Sequence, residues 1–73
     1  MENLSNGMDK FTHQEIKEME RDVIKGNLRE LASKILWIRA FTVYNSLNYE
    51  RLGLKCKPCY GKVLAFIKKL NNG

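Results

Sequence analysis

Hydrophobic and polar positions fall into three helical stretches along this chain. Phe11 precedes Thr12, and Ile16, Met19 and Val23 (with Ile24 at its edge) follow at helical spacing. Lys17, Glu18, Arg21, Asp22 and Lys25 occupy the remaining sides. Thr12 and Glu15 stand in the capping-box spacing, where each side chain satisfies the other's free backbone N–H, and Phe11 and Ile16 stand in the hydrophobic-staple relation. The pattern predicts a helix over about 12–25. Gly26 ends it, because glycine enters the left-handed conformation without a Cβ penalty. Asn27, three residues before Glu30, caps the next; a continuous helix kinked at this point is the alternative.

The second stretch, about 28–48, reads as one long helix and the core of the fold. At about 100° per residue, Leu28, Leu31, Ala32, Ile35, Leu36, Ile38 and Val43 form a broad aliphatic arc. Trp37, Phe41 and Tyr44 cluster on the opposite side. A helix apolar on two sides is normally buried between neighbours. If the last helix leaves the aromatic side uncovered, Trp37, Phe41 and Tyr44 become a protein-binding surface. Arg39 lies within the aliphatic arc and snorkels at the bundle edge, or meets a carboxylate, with Asp9 or Glu15 closer in register than Glu20.

Gly53 marks a turn in the connection over 49–57, with Leu52 and Leu54 tucked under the bundle. Pro58 suits the first turn of a helix, so the third helix is expected over about 58–70. Cys59, Val63, Phe66, Ile67 and Leu70 share its inner stripe, Tyr60 its border, and the lysines lie outside. The expected architecture is all-α: a three-helix up-down-up bundle over 11–73, behind a disordered tail at 1–10.

The chain has 73 residues and a net charge of +5. A chain this short buries only about 60% of its unfolded surface and often needs a disulfide, a metal or a partner. Residues 31–73 carry Glu50 alone against eight bases. That surplus suits an anionic partner, with Lys55, Lys57, Lys62, Lys68 and Lys69 as candidate nucleic-acid contacts. A helix-turn-helix at Gly53 fits poorly, since Tyr49 stands where a small residue is needed and Lys62 where an apolar one is. The most apolar run, 35–44, is interrupted by Arg39 and is far short of the roughly 20 residues of a membrane span. The polar N-terminus has no signal-peptide pattern, so a cytoplasmic protein with reduced thiols is expected.

Cys56-Lys57-Pro58-Cys59 admits three readings. As a redox pair it lacks the strands and the facing cis-proline of a thioredoxin fold. As a zinc site it supplies two of four ligands, so Cys56 and Cys59 bind zinc only if a second chain brings another pair, or if His13 and Asp9 reach them. As a structural pair, Cys59 packs as a small hydrophobe and Cys56 lies beside it or closes a small disulfide; this reading is preferred. No carboxylate pair in an apolar setting, no Ser/His/Asp grouping and no phosphate-cradling loop points to catalysis, and no small-molecule substrate is expected.

The run Val43-Tyr44-Asn45, then Leu52, then Cys56-Lys57-Pro58-Cys59-Tyr60, then Leu64 to Leu70 resembles small helical C-x-x-C segments of bacteriophages and prophages of gut Bacteroidetes. The resemblance covers 43–70 and implies a phage origin without a defined activity. The expected function is a non-enzymatic interaction or structural module, self-associating or docking on a protein. The alternative is a small basic nucleic-acid-binding protein.

Overall fold

The computed structural model describes residues 10–72, so the expectation of a disordered tail at 1–10 lies outside them except for Lys10. Helix α1, His13–Lys25, opens on the capping box: the Thr12 hydroxyl accepts from the Glu15 N–H at 3.0 Å, and the Glu15 carboxylate accepts from the Thr12 N–H at 2.9 Å. Phe11 and Ile16 are both buried, as the staple requires. Gly26, at φ 68°, ends α1 by donating its N–H to the Asp22 carbonyl. The Asn27 side chain then accepts from the Glu30 N–H and starts α2, Leu28–Ser33.

The single helix expected over 28–48 is in fact two. Lys34 is extended (φ −84°, ψ 130°) and separates α2 from α3, Ile35–Asn48. Neither proline nor glycine causes the break. The Ser33 hydroxyl donates to the Glu30 carbonyl, a local bond that competes with helix continuation. The Lys34 ammonium meanwhile reaches across to Glu18 and Asp22 of α1. The described residues therefore form four helices and no strand, the last being α4, Lys57–Asn72.

The direction of α4 corrects the up-down-up expectation. Glu20 pairs with Lys68 at 2.8 Å, His13 lies beside Asn71 and Asn72, and Gly26 lies beside Lys57, so α1 and α4 are antiparallel. Trp37 meets Tyr60 and Tyr44 meets Phe66, so α3 and α4 run in the same sense. Eight extended residues reach about 25 Å, enough for the segment 49–56 to return along the roughly 21 Å of a 14-residue helix. That segment is anchored. Asn45 exchanges two hydrogen bonds with the Leu52 backbone, and the Tyr60 hydroxyl donates to the Leu54 carbonyl at 2.6 Å.

The core lies where α4 covers α3. Trp37 and Tyr60 are fully buried with ring centroids 4.9 Å apart, and Phe41 meets Tyr60 at 4.7 Å, both edge-to-face. Met19, Val63 and Ile67 fill the space around them. Trp37, Phe41 and Tyr44 are thus core residues, and the aromatic contact surface is withdrawn: α4 lies on it. Tyr60, expected at the border of the stripe, is at its centre, where burial raises its phenol above the ordinary range.

Candidate functional site

With the aromatic side of α3 turned inward, only part of its aliphatic arc is left in solvent, Ile35 and Ile38, while Val43 is buried and Leu36 packs half-buried on the core. Ile35 is 79% and Ile38 42% exposed, against 0% for Trp37 between them. Ile35, Ile38, Thr42 and Ser46 recur at i, i+3, i+7 and i+11, which places them on one stripe of the helix, and all four are exposed. Thr42 satisfies its own hydroxyl on the Ile38 carbonyl at 2.8 Å. The stripe is therefore apolar at its N-terminal end and small and polar further along.

The inner edge of the same helix holds a charged cluster that the sequence pattern had placed in solvent. Asp22 is 8% exposed. Its carboxylate accepts from the Lys34 ammonium at 2.9 and 3.1 Å and from the Trp37 indole N–H at 3.1 Å. Glu18 accepts a further hydrogen bond from the Lys34 ammonium at 2.9 Å. Donation to Glu18, then to Asp22, holds the Lys34 ammonium above its ordinary pKa. One turn further, Arg39 meets Glu15 at 3.4 Å, donates to the Lys10 carbonyl and stacks on Phe11 with its guanidinium carbon 4.1 Å from the ring centre. Arg39 thus meets a carboxylate and does not simply snorkel; Glu15 is one of the two that register offered, and the other, Asp9, lies outside the described residues. Glu15, Glu18 and Asp22 recur at i, i+3 and i+7, an acidic stripe beside the apolar one and a visible signal for this contact.

The five candidate lysines do not act alike. Lys68 is engaged by Glu20, whose carboxyl the pairing lowers. Lys55, Lys57, Lys62 and Lys69 are exposed. Lys62 and Lys69, seven residues apart, share an outer stripe with Ala65. Lys57 lies apart, against Gly26.

Cys56 directly precedes α4 and Cys59 lies in its first turn. Their sulfurs are 2.07 Å apart, a disulfide, so the thiols expected to be reduced are joined here. Both residues are half-buried, and Cys59 packs against the core as its stripe position requires. Zinc would need both sulfurs as separate thiolates. Among the described residues no group of three or more His, Cys, Asp and Glu side chains is placed to hold a metal. His13 stands at the far end of α4 from the cysteines, so the route to zinc through His13 is withdrawn along with the topology that suggested it.

The chain matches no known protein family, curated protein or solved structure. Among the described residues no helix is long and apolar enough to cross a membrane.

Proposed function

We propose that this protein is a non-enzymatic interaction module that self-associates through the outer face of α3. The observation that carries the reading is the exposed Ile35–Ile38 pair on a helix whose other face already fills the core. Burying an isoleucine side chain contributes roughly 1.5–3 kcal/mol. A two-fold contact, in which the same patch faces itself, would bury four of them. Association costs about 4–15 kcal/mol, so the pairing is weak and belongs to high local concentration, as in an assembly. This suits the phage origin implied by the resemblance over 43–70, with the protein in a bacterial cytoplasm or a virion.

Analytical ultracentrifugation up to near-millimolar protein tests the reading. Wild type is expected to gain mass with concentration, and Ile35→Lys to remain a monomer with unchanged helix content. A wild-type protein that stays monomeric throughout excludes self-association.

A second reading, phosphate-backbone binding by the outer face of α4, is favoured by the exposed Lys62–Ala65–Lys69 stripe. Counterion release would make such binding fall steeply with salt. Failure to retain duplex DNA or RNA at low salt excludes it.

A further inference from the structure

The Cys56–Cys59 bond joins two cysteines in unlike surroundings. Cys56 stands at the last position before a 16-residue helix with no acidic residue in its first turn, between the exposed Lys55 and Lys57. Helix N-termini and neighbouring cations favour a thiolate over a thiol. Cys59 sits inside the first turn, its N–H bonded to the Cys56 carbonyl at 3.1 Å, and its side chain packs on the core. One sulfur is therefore placed to attack, and the other is held within bonding reach to resolve.

We propose that Cys56 and Cys59 form a reversible redox site that exchanges with a low-molecular-weight disulfide, with Cys56 the attacking sulfur and Cys59 the resolving one. In the oxidising direction the Cys56 thiolate attacks one sulfur of the small disulfide. A mixed disulfide forms and the other half leaves as a thiolate. The Cys59 thiolate then attacks the Cys56 sulfur, closes the intramolecular bond and expels the second half. Two electrons pass from the protein to the small molecule, and the two protons given up by the cysteines end on the two released thiols. A pair of small-molecule thiols reverses the sequence. The site works stoichiometrically and does not require the facing proline or the sheet of a thioredoxin fold. It is also independent of the α3 face.

The test uses the full chain, reduced and then mixed with excess glutathione disulfide, and follows intact mass. Wild type should lose two hydrogen atoms without accumulating an adduct. Cys59→Ser should stop at a glutathione adduct on Cys56, formed severalfold faster than the adduct of Cys56→Ser on Cys59. Should either variant lose helix content, the order of labelling in reduced wild type carries the comparison: limiting iodoacetamide and peptide mapping should find Cys56 alkylated before Cys59. A wild-type protein that remains a dithiol in excess glutathione disulfide, an adduct that persists on wild type, or labelling of Cys59 first overturns the proposal.

Discussion

Replacing Asp22 with alanine should be the most costly single change outside the apolar core. The side chain is almost fully buried and serves two donors, the Trp37 indole N–H at 3.1 Å and the Lys34 ammonium at 2.9 Å. Without it the indole N–H has no acceptor in an apolar setting, which costs about 1–3 kcal/mol. Lys34 keeps Glu18 and is partly solvated, so its loss adds no more than about 1 kcal/mol. The expected total is about 1–4 kcal/mol, a fall in Tm on the order of 5–30 °C for a domain of this size. Asp22→Asn keeps an acceptor for the indole and should cost clearly less. Urea denaturation followed by far-UV circular dichroism and by the fluorescence of Trp37, the chain's only tryptophan, measures both variants. A double-mutant cycle with Trp37→Phe isolates the indole bond. An Asp22→Ala cost below about 0.5 kcal/mol, the level of an ordinary surface substitution, would refute the assignment.

Two further outcomes follow from the same contacts. The Glu15 carboxyl is lowered first by the Thr12 N–H and then by Arg39. A carboxyl lowered by folding contributes stability that is present above its unfolded pKa and is lost as pH falls through the folded value. Stability should therefore drop on acidification from about pH 5, and Glu15→Gln, which retains the capping hydrogen bond, should flatten that drop in a pH series of urea melts. Equal slopes for the two proteins would count against it. Gly26→Ala should cost about 1–2 kcal/mol, since a side chain is strained at φ 68°. The added Cβ would also lie 3.3 Å from Lys57 Cε and Nζ, although that flexible tip can give way. A thermal melt unchanged by the substitution would contradict this.

What the sequence made legible was what local chemistry decides. The Thr12–Glu15 box, the Gly26 stop and the Asn27 cap are each written in a few adjacent residues, and each forms as read. The break at Lys34 has no such mark, because Ser33 and Lys34 are both compatible with a helix. Besides the Ser33 hydroxyl bond to the Glu30 carbonyl, what holds it lies 12 and 16 residues away, in Asp22 and Glu18. The direction of α4 was equally hidden. The segment 49–56 is long enough to return in either sense, and contacts made only in the folded state, Asn45 with Leu52 and Tyr60 with Leu54, select one. The cysteine pair shows both limits together. Helical phase placed Cys59 against the core, whereas no spacing rule could decide between a bond to Cys56 and a shared metal.

The break at Lys34 also decides which side of the chain meets solvent. In an unbroken helix over 28–48, Leu28, Leu31, Ile35 and Ile38 would share one arc. In the structure Leu31 is buried while Ile35 and Ile38 face outward, because one extended residue resets the helical phase between them. Lys34 holds that conformation while its ammonium is bound to α1, and Trp37 is drawn inward by the same carboxylate. The buried acid and the exposed isoleucines are thus two ends of one arrangement. Loss of Asp22 should act on both: where the variant still folds, straightening at Lys34 would rotate α3, red-shift the Trp37 emission and weaken self-association without any change at Ile35 or Ile38. An Asp22→Ala protein that is destabilised yet keeps a buried tryptophan and wild-type association would separate the two, leaving the acid a matter of stability alone.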